Sequence, residues 1–152
     1  MDLTGQPAPE FTLPRDGGGE VALSDIDGAV VLYFYPKDDT SGCTRQAIAF
    51  TERADDFAAA GATILGVSKD PVTKHDKFRD KHGLRIALLS DAESDVCERY
   101  GVWAEKQMYG KSFMGIERST FLIGRDGRVL REWRKVKVPG HVDEVLEAVR
   151  AL

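Results

Sequence analysis

Residues 30–35 read Val-Val-Leu-Tyr-Phe-Tyr, a β-branched and aromatic run without polar alternation. Such a run predicts a strand that is covered on both faces, as a central strand of a sheet is. Apolar residues then follow at helical spacing and end at Gly61, and residues 63–68 are again strand-like. The pattern therefore predicts a right-handed crossover in which a helix over about residues 42–60 joins two parallel strands.

Further elements extend this unit toward the C-terminus. Asp70-Pro71 resembles an N-cap followed by proline at the first helical position, and Gly83 marks the end of that helix. Residues 87–90 predict a short strand, and residues 94–100 predict a short helix.

Two hairpins and a final helix complete the pattern. The run Gly17–Gly19 lies between two short apolar stretches and predicts the turn of an N-terminal hairpin. Residues 119–123 and 129–133 flank Gly-Arg-Asp-Gly-Arg and predict a second antiparallel pair. A polar, glycine-containing segment that holds Met108 and Met114 predicts a loop at the entrance to a site. The last residues carry an apolar stripe and predict a helix.

The elements together predict an α/β fold with a central mixed β-sheet flanked by helices and an N-terminal β-hairpin. Parallel strands followed by a hairpin and a last helix are the content of a thioredoxin-like fold, although periodicity does not fix strand order. No repeat, linker or low-complexity stretch divides the 152 residues. We therefore expect a single domain over residues 1–152.

Charge and hydropathy exclude two classes of partner. The chain has 25 acidic and 21 basic residues and a formal charge of −4, which leaves no basic surplus for a nucleic acid or an anionic membrane. The longest apolar run, residues 29–35, is far below the ~18 residues of a membrane span. Asp2, Gly5 and Pro7 interrupt any signal-peptide pattern, so a cytoplasmic protein is expected.

The two cysteines, Cys43 and Cys97, are too isolated to predict a zinc site or a disulfide framework, because the chain has no Cys-x-x-Cys motif. Cys43 lies at the first turn of the predicted helix, with Thr40 and Ser41 as capping candidates. Free amide groups and the helix dipole stabilise a thiolate there, and Arg45 adds positive charge. The alternative is that Cys43 is a small buried apolar residue.

Residues 35–44, Tyr-Pro-Lys-Asp-Asp-Thr-Ser-Gly-Cys-Thr, resemble the peroxidatic motif of the peroxiredoxins. In that motif proline is followed four residues later by threonine and three residues further by cysteine. The string is most similar to the peroxiredoxin Q, or bacterioferritin comigratory protein, subfamily. Similar landmarks occur at residues 5–11, 88–91, 100–103 and 118–123.

The resemblance implies a peroxidase of thioredoxin-like fold that reduces hydrogen peroxide and organic hydroperoxides without metal, haem or flavin. Cys43 is then the nucleophile and becomes a sulfenic acid. The Thr40 hydroxyl and the amides of Gly42 and Cys43 contact the peroxide, and Pro36 shields the thiolate from water. Arg118 matches the family's arginine that holds thiolate and peroxide together.

The chain departs from the family at the resolving cysteine, the thiol that closes the cycle with a disulfide. Many members carry it five residues after the peroxidatic cysteine, where this chain has Ile48, and others carry it on the next helix, which has no cysteine here. Cys97 remains a possible resolving thiol, but it is placed on the apolar side of a short helix. A one-cysteine cycle is expected, with thioredoxin, glutaredoxin with glutathione, or a low-molecular-weight thiol as reductant. The family also implies a monomer or weak dimer.

Two other functions stay open on the same fold. A thiol-disulfide oxidoreductase is disfavoured because Gln46 stands where its second cysteine is needed. A non-catalytic redox sensor is also oxidised at Cys43 and differs from an enzyme only in lacking turnover. His75 and His82 flank Phe78 at helical spacing, but without a third ligand we expect no metal site.

Overall fold

The computed structural model describes residues 2–152. None of the helices in this range is long and apolar enough to cross a membrane. In chain order, the elements are β1 (Thr12–Pro14), β2 (Glu20–Ala22), β3 (Ala29–Phe34), α1 (Ser41–Glu52), α2 (Ala54–Ala59), β4 (Ala62–Ser68), α3 (Val72–His82), β5 (Ala87–Ser90), α4 (Val96–Arg99), β6 (Trp103–Met108), β7 (Lys111–Ile116), β8 (Ser119–Ile123), β9 (Val129–Trp133) and α5 (His141–Arg150).

The central sheet has the strand order β5-β4-β3-β8-β9. Strands β3, β4 and β5 are parallel, whereas β8 pairs antiparallel with β3 and with β9. Separate antiparallel pairs are formed by β1 with β2 and by β6 with β7. The mixed sheet, its flanking helices and the N-terminal hairpin confirm the predicted α/β class.

Strand β3 is buried along its whole length and separates two hydrophobic clusters. Side chains alternate across a strand, so Val31 and Tyr33 face one cluster while Leu32 and Phe34 face the other. This two-sided burial explains why the sequence run carries no polar alternation.

The single helix predicted over residues 42–60 is wrong, since α1 and α2 are separate helices. The chain breaks at Arg53, whose φ of −102° and ψ of 6° leave the helical region. Apolar spacing continues across the break, because Phe50 and Phe57 enter the same cluster with ring centroids 5.8 Å apart. The apolar periodicity of the sequence therefore did not reveal the break between the two helices.

The start of α3 also differs from the prediction. Pro71 is the N-cap, in extended conformation, rather than the first helical residue, and its carbonyl accepts from the amides of Lys74 and His75. Asp70, the predicted cap, instead uses its carboxylate to bind the Ser68 hydroxyl. Gly83 ends the helix in the left-handed conformation, as predicted.

The loop predicted around Met108 and Met114 is a β-hairpin formed by β6 and β7. Its two-residue turn is Tyr109-Gly110, and both residues have positive φ, as primed hairpin turns require. Both strands are largely exposed, so they lack the apolar alternation on which a sequence prediction depends. The hairpin leads directly into residues 117–118 and then into β8.

Candidate active site

Cys43 lies in the first turn of α1, immediately beyond the loop of residues 35–40 that leaves the central strand β3. The first helical hydrogen bond runs from the Thr44 amide to the Thr40 carbonyl, at 2.8 Å. The amides of residues 41–43 therefore precede the helical ladder and point out of the helix end. Cys43 itself is only 2% exposed, and the first turn holds no acidic residue. The thiol is therefore buried at the N-terminal end of α1, the position that the sequence pattern predicted.

Arg118 is brought to Cys43 by the register of the sheet. Strand β8 runs antiparallel to β3 with Ser119 opposite Phe34, so the residue before β8 lies beside the loop that follows β3. The Nη2 atom of Arg118 lies 3.3 Å from Cys43 Sγ. Its backbone carbonyl accepts from the Val136 amide at 2.9 Å. The two predicted residues are therefore in contact.

Gln46 belongs to the same site, although the sequence indicated only that it was not a second cysteine. It lies one turn after Cys43 on α1, is fully buried, and accepts a hydrogen bond from Arg118 Nη1 through Oε1 at 2.6 Å. Within residues 2–152, its Nε2 atom has no hydrogen-bond partner. The three-residue spacing on one helix face is the signal that places it beside Cys43.

The other residues that the resemblance assigned to the site, Gly42, Pro36 and Thr40, differ in how they relate to Cys43 and Arg118. A Cβ at Gly42 would lie 3.2 Å from Arg118 Nη2, so glycine leaves room for the guanidinium. Pro36 is half-buried at the start of the loop. Thr40 is the N-cap residue, but its hydroxyl donates to the Lys37 carbonyl at 2.9 Å rather than to the sulfur of Cys43.

Two basic side chains lie near the thiol, Lys106 on β6 and Arg118 just before β8. Burial lowers the pKa of Lys106 on β6, and neighbouring Arg118 lowers it further, whereas the charge of Cys43 acts in the opposite direction. On the floor of the site, burial raises the pKa of Tyr33 well above its ordinary value, and the charge of Cys43 adds to the rise. Tyr33 is therefore a neutral phenol beside a cationic site.

Cys97 lies on α4 in the hydrophobic cluster on the opposite side of the sheet from Cys43. It is fully buried, and its amide donates to Asp91 Oδ2 at 2.8 Å. Burial, reinforced by Asp91, raises the pKa of the Cys97 thiol far above its ordinary range. Both thiols are free. The structure thus separates the two sulfurs and makes one of them a poor nucleophile.

The histidines have other partners than a metal. His75 is buried between Asp38 and the Leu89 carbonyl, and exposed Asp39 accepts from His82. In the described residues, no group of three or more His, Cys, Asp or Glu side chains is arranged to hold a metal ion.

Comparisons with known proteins identify the family of the chain. Residues 4–131 match the AhpC/TSA family. The chain is 50% identical over 143 residues to a putative peroxiredoxin bcp of Coxiella burnetii, covering 93% of this chain and 95% of the relative. It is also 50% identical over 147 residues to peroxiredoxin Bcp of Bacillus subtilis, covering 96% and 94%.

Among solved structures, peroxiredoxin Q of Xanthomonas campestris superposes with a TM-score of 0.88 at 47% identity, covering 93% of this chain and 90% of that one. This match confirms the thioredoxin-like fold that the sequence resemblance implied. Family model, relatives and structure point to the same group. The chain belongs to the AhpC/TSA family and, within it, to the thiol-dependent peroxidases of the peroxiredoxin Q/Bcp type.

Proposed function

We propose that this peroxidase uses Cys43 as its nucleophile and Arg118 as the cation that binds both the thiolate and the peroxide. The observation that carries the proposal is the 3.3 Å contact between Arg118 Nη2 and Cys43 Sγ at the start of α1. A guanidinium cannot lose its proton at any working pH, so the contact favours the thiolate, which is the reactive form of the thiol.

The chemical step balances with these groups alone. The Cys43 thiolate attacks the terminal oxygen of a hydroperoxide, the S–O bond forms and the O–O bond breaks. The sulfur loses two electrons and becomes a sulfenic acid, while the departing alkoxide or hydroxide takes a proton from water. Arg118 and the amides of Gly42 and Cys43 stabilise the negative charge that moves onto the departing oxygen.

The proposed substrates are hydrogen peroxide and organic hydroperoxides. The bacterioferritin comigratory protein of Xanthomonas campestris, 46% identical to this chain, has alkyl peroxide reduction activity. In this chain, Pro36 limits water at the thiolate. Thr40 contributes by turning its hydroxyl from the Lys37 carbonyl toward the bound peroxide.

A one-cysteine cycle follows from the position of the second thiol. Cys97 lies across the sheet from Cys43, and Ile48 packs against the core where relatives carry a resolving cysteine. An outside thiol therefore loses its proton and attacks the sulfenic sulfur; the S–S bond forms as the S–O bond breaks, and the departing hydroxide takes up a proton to become water. This leaves a mixed disulfide, from which a second thiol restores Cys43. The reductant is thioredoxin or a related thiol, with glutaredoxin plus glutathione or a low-molecular-weight thiol as alternatives.

The proposal also covers the domain organisation, the oligomeric state and the location of the protein. The whole chain, residues 1–152, acts as one domain because both hydrophobic clusters are built on the same central sheet, although Met1 lies outside the described residues. A monomer or weak dimer and a cytoplasmic location are proposed from the sequence. A thiol-disulfide oxidoreductase is disfavoured, because Gln46 takes the place of its second cysteine and binds Arg118.

Turnover separates the peroxidase from a redox sensor. Consumption of hydrogen peroxide is followed with excess dithiothreitol for the wild type, for Cys43→Ser and for the matched control Cys97→Ser. We expect the wild type and Cys97→Ser to consume many equivalents of peroxide and Cys43→Ser to consume none above background. A wild type that stops after one equivalent is a sensor, and an active Cys43→Ser contradicts the assignment of the nucleophile.

A further inference from the structure

A buried polar cluster lies behind the active-site loop and has no part in the chemical step described above. It consists of Tyr35, Asp38 and His75, which are 1%, 8% and 0% exposed. The Tyr35 hydroxyl donates to Asp38 Oδ1 at 2.5 Å, and His75 Nδ1 lies 2.6 Å from Asp38 Oδ2. His75 Nε2 lies 2.9 Å from the carbonyl oxygen of Leu89. The cluster thus joins the loop to α3 and β5.

The hydrogen-bond partners fix how many protons this cluster holds. A carbonyl oxygen only accepts, so His75 Nε2 must carry a hydrogen toward Leu89. One more proton must then lie between His75 Nδ1 and Asp38 Oδ2, as imidazolium with carboxylate or as imidazole with carboxylic acid. If this proton leaves, a nitrogen lone pair faces a negatively charged oxygen at 2.6 Å. The contact is therefore attractive only while the proton is shared.

The surrounding groups favour retention of this proton. Burial lowers the pKa of His75, but the hydrogen bond and charge of Asp38, together with Asp70, outweigh burial and raise the pKa above its ordinary value. The shared proton is therefore held at pH values below the ordinary pKa of histidine and is lost only as the pH rises through the raised pKa. The titratable or charged groups around His75 are Tyr35 and Asp38 from the loop, Asp70 after β4, and Lys74 on α3, which lies 4.0 Å from Asp70.

The same loop is tied to α3 a second time, at its surface. Asp39 accepts from Lys81 Nζ at 2.8 Å and from His82 Nε2 at 2.9 Å. Asp39 has a positive φ of 62°, a conformation that L-residues rarely adopt and that needs support from its surroundings. The neighbouring residue Asp38, five residues before Cys43, supports the loop from the buried side through its contact with His75.

We propose that Asp38 and His75 are positioning residues whose shared proton fastens the active-site loop to α3 and so holds the first turn of α1 in the geometry that receives the peroxide. The proposal rests on Cys43 being the nucleophile. Loss of the shared proton at alkaline pH then loosens the loop and slows the attack on the peroxide, although neither residue touches the substrate.

The test compares Asp38→Asn with the wild type by hydrogen exchange of the amides in residues 37–44, between about pH 6 and about pH 9. An asparagine amide donates to neutral His75 Nδ1, and its oxygen still accepts from Tyr35, so this variant keeps both bonds without the titrating proton. Asp38→Ala removes both bonds. The matched control is Asp80→Asn on the exposed side of α3, where the carboxylate bonds to Arg79.

We expect the loop protection factors of the wild type and of Asp80→Asn to fall on the order of tenfold as the pH rises. Those of Asp38→Asn should stay level, and those of Asp38→Ala should be low throughout. The second-order rate constant with peroxide should follow the same pattern after correction for the pH dependence that all variants share. Equal pH dependence in the wild type and in Asp38→Asn overturns the proposal.

Two further results keep the outcome unambiguous. Loop exchange is measured without peroxide, so it tests the proposal even if an active Cys43→Ser shows that another group is the nucleophile. If Asp38→Asn does not fold, nuclear magnetic resonance of labelled histidine in the wild type decides. The His75 ring should keep its shared proton above pH 6.5, the ordinary pKa of a histidine, and loss of the proton at or below that pH contradicts the proposal.

Discussion

Arg118 reaches Cys43 across 75 positions of sequence because β8 begins beside the end of β3. Arg118 is held at three points: Nη2 faces the sulfur, Nη1 donates to Gln46, and the backbone carbonyl accepts from the Val136 amide. A donor fixed before the substrate arrives needs no reorganisation during the reaction, which is the condition for strong stabilisation of a transition state.

Arg118→Ala should lower the second-order rate with hydrogen peroxide by about a hundredfold or more, because it removes a charged donor worth roughly 3 kcal/mol in the transition state. Stopped-flow measurement of Cys43 oxidation gives the rate. Arg131→Ala, which removes an exposed arginine from β9, is the control and should react as the wild type does. Equal rates for the two variants would place Arg118 outside the active site.

The family resemblance named Cys43, Thr40 and Arg118 as candidate catalytic groups, but it did not predict their partners. Cys43, Thr40 and Arg118 could be named because they stand at fixed places in a family string. Gln46 was missed because nothing in the composition or the hydropathy pattern distinguishes a buried glutamine from an exposed one. The pair Asp38 and His75 was missed because it joins a loop to a helix 37 positions away, and only the strand order brings these two elements together.

Among the elements, α4 buries Cys97 in the hydrophobic core. Its thiol is buried, and the helix amides around it bind the buried carboxylate of Asp91. A free cysteine in such surroundings acts as a small apolar residue.

Cys97→Ala should therefore lower the free energy of unfolding by about 1 kcal/mol, through the small cavity it leaves, without changing the steady-state rate. Urea denaturation measures the first quantity, and peroxide consumption with an external thiol measures the second. A large loss of turnover in a protein that stays folded would return Cys97 to the catalytic cycle.

Helix α5 begins at another buried histidine, whose pKa is lowered, whereas that of His75 is raised. Its first residue, His141, is buried and bonds the Thr120 hydroxyl at 2.8 Å. The pKa of His141 is lowered from 6.5 to about 4, mainly by burial; Glu144 opposes this change, and the charges of Arg118 and Arg131 add to it. The neutral ring is therefore the form that fits the folded protein.

Because the folded pKa lies below the unfolded one, the contribution of His141 is complete above the unfolded value of 6.5 and is lost as the pH falls toward about 4. Between these values, the wild type should lose up to about 3 kcal/mol of unfolding free energy relative to His141→Gln. Denaturant titrations of both proteins over this range measure the difference. Parallel curves would show that His141 is protonated in the folded state.

Strands and helices were predictable where burial of one or both faces produces a regular pattern of apolar residues in the sequence. The bounds of β5, β8 and β9 agree with the sequence prediction, and β3 and β4 differ by one residue. The hairpin of β6 and β7 was missed because both strands are exposed and need no apolar alternation. The break between α1 and α2 was missed because both helices bury aromatic residues in one cluster and keep a common spacing.

For the whole molecule, the central sheet separates the two thiols into different chemical settings. On one face, Cys43 meets amide dipoles and Arg118, and on the other Cys97 meets apolar side chains and Asp91. The formal charge of −4 provides no general attraction for peroxide, which is neutral, so reactivity depends on the local geometry at α1. This division is the basis of our proposal that the peroxidase works with one thiol.

The most direct test of this account is mass spectrometry after one equivalent of peroxide, with dimedone present to trap sulfenic acid. The account predicts a dimedone adduct on the peptide that contains Cys43 and none on the peptide that contains Cys97. Without dimedone, the protein should gain the mass of one oxygen atom. Loss of two hydrogen masses without an adduct, abolished by Cys97→Ser, would show a disulfide between the two thiols and contradict the one-cysteine cycle.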